Sequence, residues 1–297
     1  MKKIVTTAVF SALLISGAFA QQKIDIQAHR GGMALMPENT VASMLNGIKT
    51  GTRTLEMDVL ITSDGKVVVS HDPYMSSVFM RKPDGSDVTK EEEKGMALYK
   101  MTYDSISRFD SGSKPHPRFP EQHKMKTHKP LLSEVIDSVE AYVKLHKLKP
   151  VYYNIETKTS PDGDGIYHPK PDVFVATMMA VINKKGITKR VTIQSFDIRT
   201  LQVMHKTEPK VKLSLLMANK ESVADNIKQL GFVPEVFSPY YTLVDAQMVK
   251  DVHAAKMELL PWTVDEEKDM KALRDLGVDG MISNYPDRMV KLFGSYQ

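Results

Sequence analysis

Strand-like and helix-like stretches alternate along most of this 297-residue chain, and no other feature limits its folding so sharply. Residues 24–28 read as a strand. Residues 40–50 read as a helix, with Val41, Met44, Leu45 and Ile48 on one face and Gly51 just past its end. Residues 54–61 and 66–70 read as strands joined through the turn Ser63-Asp64-Gly65, a hairpin signal. Further strands are predicted at 151–156, 191–194, 211–215, 236–237, 256–262 and 279–282. Helices are predicted at 133–145, 172–183, 198–205, 223–230, 244–255, 266–276 and 286–293. Strand–helix units with short links imply a parallel sheet covered by helices. At this length a TIM (β/α)8 barrel is the economical closure, and a doubly wound open sheet is its competitor.

One region breaks the alternation. Residues 73–130 are rich in Lys, Pro, His, Gly and acidic residues and carry little periodicity. They are expected to form an inserted subdomain after the second-strand hairpin, at the top of the barrel. The N-terminus is also set apart. Lys2 and Lys3 precede an apolar run at 4–19, and Ala18-Phe19-Ala20 offers small residues at a cleavage position. This is the pattern of a signal peptide over 1–20. The run is short for a membrane span, which needs about 20 apolar residues, and no Cys follows that could take a lipid. The expectation is cleavage near Ala20, release to the periplasm or the exterior, and a single barrel domain over 21–297, with no stable membrane insertion. Loss of Lys2 and Lys3 takes the formal charge from +4 to +2. Lys and Arg are spread along the chain, which does not argue for a nucleic-acid partner.

The chain has no Cys, which excludes disulfides, a thiol nucleophile and thiolate metal sites. Metal ligands must come from carboxylates, His or carbonyl groups, a donor set that favours a hard ion such as Ca²⁺ or Mg²⁺. Glu56 and Asp58 fall on the same side of their strand, with Leu55, Met57 and Val59 on the other. Two carboxylates in a confined barrel mouth need a cation between them, either a base such as Arg53 or a metal. Alone, such a pair is more often a salt bridge. Asn154 and Glu156 repeat the pattern on the next strand, and Lys158 keeps the same parity. Three carboxylates on neighbouring strands suit an oxygen shell, which leaves Lys158 to hold an anionic substrate.

His29 ends the first strand and precedes Arg30-Gly31-Gly32; His71 ends the hairpin strand and precedes Asp72. Either His alone is ordinarily structural, but two at strand ends on one rim suggest an acid–base pair. Arg30 offers a planar fork for phosphate, and the glycines let backbone N–H groups approach the same anion. His116, His123 and His128 in the insertion read as a solvated surface rather than a metal site.

Taken in order, His29-Arg30-Gly31, Pro37-Glu38-Asn39-Thr40, Glu56-Met57-Asp58-Val59 and Val68-Val69-Ser70-His71-Asp72-Pro73 resemble the glycerophosphodiester phosphodiesterase family. Asn154-Ile155-Glu156-Thr157-Lys158, Gln194-Ser195-Phe196-Asp197, Trp262-Thr263-Val264 and the run from Gly277 to Pro286 extend the resemblance over essentially the whole chain beyond the leader. The resemblance implies a TIM barrel with an inserted subdomain after the His-Asp strand. It makes Glu56, Asp58 and Glu156 the ligands of one divalent cation, His29 and His71 the acid–base pair, and Arg30 and Lys158 the phosphate contacts. Trp262 is either a rim residue of the substrate pocket or a barrel-core aromatic. The implied reaction is metal-dependent hydrolysis of a small-molecule glycerophosphodiester to glycerol phosphate and an alcohol. A lipid-directed phosphodiesterase and a non-catalytic phosphodiester-binding protein are the competing readings, and the strongly charged stretch 81–95 favours water-soluble substrates. Pro261, Asn284 and Leu131-Leu132 depart from the family pattern and are expected to leave the metal and acid–base groups untouched.

Overall fold

The computed structural model describes residues 24–297, so the expected leader lies outside the described residues. The strands are β1 (Asp25–Ala28), β2 (Thr54–Ile61), β3 (Val67–Val69), β4 (Tyr152–Thr157), β5 (Val191–Ser195), β6 (Lys212–Met217), β7 (Val236–Pro239), β8 (Glu258–Leu259) and β9 (Gly280–Ser283). The helices are α1 (Val41–Thr50), α2 (Lys90–Glu93), α3 (Tyr103–Ser107), α4 (Leu132–Leu145), α5 (Pro171–Lys185), α6 (Ile198–Thr207), α7 (Val223–Leu230), α8 (Ala246–Ala254), α9 (Glu267–Leu276) and α10 (Pro286–Phe293). The strands run in the order β8-β7-β6-β5-β4-β2-β1-β9, all parallel, and β3 is an antiparallel flap on β2. Backbone bonds close the ring between β8 and β9: Asp279 N–H donates to Leu259 O at 3.0 Å and Ile282 N–H to Pro261 O at 3.0 Å. The fold is the TIM barrel, not the open sheet.

Every residue of β2 is buried, so burial alone shows no period of two. The chemistry shows it instead. Leu55, Met57 and Val59 join the apolar layer beneath the helices, with Met44 and Ile48 of α1 and Val135 and Val139 of α4. Glu56 and Asp58 face the barrel axis. The parity of β4 is the same, and the register sets Glu56 beside Asn154 and Asp58 beside Glu156.

The β8 strand is shorter than the sequence predicts, two residues against seven. Pro261 has no N–H to give to a ladder. The chain nevertheless stays in register, because Leu260 N–H reaches Phe237 O and Trp262 N–H reaches Pro239 O.

Residues 73–130 hold the short helices α2 and α3, 3-10 turns and isolated bridges such as Arg81–Asp110. Met75, Phe79, Met80, Val88, Leu98, Ile106 and Phe109 build a second apolar cluster over Leu60 and Val68. Turns rather than long elements place these side chains, which is why the segment carries no period.

Candidate active site

The site lies at the C-terminal mouth of the barrel, where strand ends give way to loops. After β1 the chain makes a tight turn, and Arg30 takes the left-handed conformation (φ 50°, ψ 34°), uncommon for a side chain of its size. That turn aims the Arg30 N–H at Glu56 Oε2, 2.7 Å away. Gly31 also has positive φ, and a Cβ there would come within 2.5 Å of Ser43 Oγ at the start of α1. Only glycine lets this turn pack against the helix.

Glu56, Asp58 and Glu156 each bring one oxygen to within 4.8 Å of the others. Glu56 Oε1 accepts from Gln194 Nε2 at 2.8 Å. Asp58 Oδ2 accepts from Asn39 Nδ2 at 2.8 Å and forms an ion pair with Arg30 Nε at 3.3 Å. Glu156 Oε1 accepts from Lys158 Nζ at 2.7 Å. Asp58 Oδ1 is buried and has no hydrogen-bond partner among the described residues. Lys158 Nζ lies 3.8 Å from it, beyond hydrogen-bond reach. A buried, unpartnered carboxylate oxygen is costly, and here it faces two further carboxylates. The three residues fit a hard divalent cation held by oxygen. The bridge to Arg53 that the sequence left open does not form; Arg53 lies by Asp25, at 3.9 Å.

The electrostatics are uneven. Burial, followed by the charge of Asp58, pushes Glu56 well above the usual carboxylate range. Burial likewise raises Glu156. For Asp58 burial pulls upward too, but Arg30, His71 and Lys158 outweigh it and hold the group low.

His29 and His71 flank the carboxylates. His29 Nδ1 lies 2.6 Å from Asn284 Oδ1. Asp265 fixes that amide, accepting from Asn284 Nδ2 at 2.7 Å and from its backbone N–H at 3.0 Å. Asn284 can therefore offer only its oxygen, so His29 Nδ1 carries the proton and Nε2 keeps its lone pair. Burial and the Arg30 charge lower His29 to about 3. His71 Nδ1 lies 2.9 Å from Asp72 Oδ1. Burial raises Asp72, but the His71 bond and Lys129 outweigh it and keep the carboxylate ionised.

Two expectations are corrected. Asn284, expected to leave the acid–base pair untouched, binds His29 directly. His116 is buried, with its ring 5.9 Å from Phe79 and 5.1 Å from Phe119, because the insertion folds it inward. Part of the Arg30 fork is engaged within the site, its Nη1 lying 3.0 Å from Glu38 Oε1. The sequence also gave no sign of Lys129, buried at 4 % exposure with Nζ on Ser70 Oγ at 2.7 Å and 5.4 Å from the Phe79 ring centre.

Trp262 donates Nε1–H to Ser238 O at 2.9 Å. Its ring packs on Phe196 and Tyr240, with centroids 5.3 and 5.4 Å away, and it also covers buried Val236, Leu260 and Ile282. It thus reaches from the top of the core to the rim. Beside the carboxylates a cavity of about 200 Å³ is lined by His71, Glu156, Lys158, Thr159, Tyr167 and Phe196.

Residues 29–288 match the family described as glycerophosphoryl diester phosphodiesterase. A glycerophosphodiester phosphodiesterase of Bacillus subtilis (strain 168) is 28% identical over 277 residues, covering 91% of this chain and 86% of the relative. One from Bacillus altitudinis is 29% identical over 272 residues, covering 90% and 97%. A solved structure from Silicibacter pomeroyi DSS-3, assigned as a glycerophosphoryl diester phosphodiesterase, superposes with a TM-score of 0.82 at 27% identity, over 92% of this chain and 93% of the other. A phosphodiesterase of Oleispira antarctica, solved with the product sn-glycerol-3-phosphate, shares the fold at a TM-score of 0.72 and 22% identity, over 92% and 98% of the two chains.

Proposed function

The chain belongs to the glycerophosphoryl diester phosphodiesterase family, and on that premise we propose that it hydrolyses water-soluble glycerophosphodiesters to glycerol phosphate and a free alcohol, using one divalent cation and two histidines. The observation that carries this reading is the trio Glu56, Asp58 and Glu156, set within 4.8 Å and bearing one buried, unpartnered oxygen. A Ca²⁺ or Mg²⁺ ion held by the trio would supply Lewis-acid charge to a phosphate oxygen.

The side chains divide the remaining work. His29 is neutral, and its Nε2 lone pair takes a proton from the attacking water as the new P–O bond forms. His71, backed by Asp72, gives a proton to the alcohol oxygen as the old P–O bond breaks. Lys158 and the backed guanidinium of Arg30 balance the charge on the phosphoryl oxygens. The cavity beside His71 holds the departing alcohol, and Trp262 forms part of the pocket rim. The Oleispira relative carries sn-glycerol-3-phosphate, the product class expected here. A second reading, cleavage of lysolipid-like diesters, is favoured by exposed Ile166, Phe196 and Tyr240 at the mouth.

His29→Ala and His71→Ala test the proposal. Each is expected to lower glycerophosphocholine turnover by about 10²–10⁴ while the circular-dichroism spectrum is kept; near-normal turnover in either would remove that residue from the chemistry. A lysolipid turned over faster than glycerophosphocholine would select the second reading. Export belongs to the same proposal, as does the standing of 73–130 as an inserted subdomain. N-terminal sequencing of protein recovered from the cell envelope is expected to start near Gln21, and a start at Met1 would contradict cleavage.

A further inference from the structure

One arc of the face opposite the active site, under β4, β5 and β6, is rich in lysine, and we propose that it docks the protein on an anionic lipid bilayer. Lysines that look scattered in the sequence converge in space, because the helix-to-strand links recur along the chain and all lie at one end of the barrel. The strands β4, β5 and β6 are neighbours, so the links that lead into them form a continuous arc. That arc carries Lys144, Lys147, Lys184, Lys189, Lys206 and Lys210, all exposed. Among the described residues none of the six forms an ion pair, whereas Lys185, Arg190 and Lys212 nearby are neutralised by Asp137, Glu140 and Glu258. Among the described residues, Glu208 is the one carboxylate of these links left without a cation. Compensation of helix dipoles accounts for a lysine in a last turn, but Lys147, Lys189 and Lys210 lie beyond the ends of α4, α5 and α6.

The apolar content of the same face selects the partner. Leu145 is 75% exposed between Lys144 and His146, and Val233 is exposed on the adjoining link into β7. Basic residues with protruding aliphatic side chains suit a lipid interface, which takes the charge at its headgroups and the aliphatic groups below them. A nucleic-acid surface has no use for those aliphatics. Docked in this way, the protein turns its catalytic mouth away from the membrane.

The test is flotation of the chain from Gln21 onward, the form expected after leader cleavage, with vesicles of phosphatidylglycerol or of phosphatidylcholine, beside the variant Lys144→Gln/Lys147→Gln/Lys189→Gln/Lys210→Gln. The native chain is expected to favour phosphatidylglycerol and to be released as salt rises from roughly 0.05 to roughly 0.5 M. The variant is expected to lose on the order of fivefold in binding per lysine, several hundredfold in all, with unchanged melting and unchanged hydrolysis of a soluble diester. Equal binding to both lipids, undiminished binding by the variant, or tighter binding to duplex DNA than to phosphatidylglycerol at the same salt would overturn the proposal.

Discussion

Asn284 Oδ1 lies 2.6 Å from His29 Nδ1, and this neutral partner, fixed in turn by Asp265, sets the tautomer and charge of the histidine. With its pKa lowered to about 3, His29 keeps its Nε2 lone pair throughout the neutral range. A carboxylate at the same place would favour the imidazolium. Asn284→Asp is therefore expected to move the acid limb of kcat/KM upward by about 1–2 pH units, with activity recovered at high pH. A pH–rate profile reads this directly, and an unmoved limb would mean that Asn284 does not govern His29.

Glu56 gives a second pH dependence with a definite sign. Its pKa is raised well above the usual range, so the metal-free fold binds the proton more tightly than the unfolded chain does. The metal-free protein should then lose stability as pH rises from about 4.3 through the raised native value. Cation binding must expel that proton, so affinity should rise with pH. Calorimetry in buffers of different ionisation enthalpy should detect proton release at mildly acidic pH. Uptake without release would contradict the raised pKa.

Gln194 donates to Glu56 and to no other carboxylate of the trio. Through that bond it orients a proposed ligand oxygen. Gln194→Leu is expected to weaken cation affinity by about 10–100-fold and to spare the fold. Titration with Ca²⁺ or Mg²⁺ checks this, and unchanged affinity would show that Glu56 needs no such support.

Lys129 separates stability from turnover. Its ammonium is buried and forms no ion pair among the described residues, and burial lowers its pKa. Replacing a buried charge by an apolar side chain of similar length is often neutral or stabilising. The same cation helps to keep Asp72 ionised behind His71. Lys129→Met is expected to melt at the native temperature or above it while kcat falls by about tenfold, roughly the effect of 1.4 kcal/mol on the barrier. A collapse in melting temperature would make Lys129 structural instead.

Much of this architecture is legible in the sequence, for a local reason. A strand alternates its faces, so Glu56, Asp58 and Glu156 declare a shared direction, and β2, α7 and α10 fall at their predicted bounds. Alternation of strand and helix likewise carries the barrel. What stays hidden is non-local. Closure of the ring brings β9 beside β1, and only then does Asn284 meet His29. Lys129 and His116 lie in a segment held by turns, where no period reveals which side chains turn inward. Pro261 ends β8 early while the backbone keeps its course.

The central claim is that hydrolysis depends on a cation held by Glu56, Asp58 and Glu156. The direct measurement is glycerophosphocholine hydrolysis by chelator-stripped protein, before and after refilling with Ca²⁺ or Mg²⁺, in the native chain and in Asp58→Asn. The rate should fall to background on stripping, return on refilling, and stay at background in Asp58→Asn. Stripped protein that hydrolyses the diester as fast as untreated protein would contradict the claim.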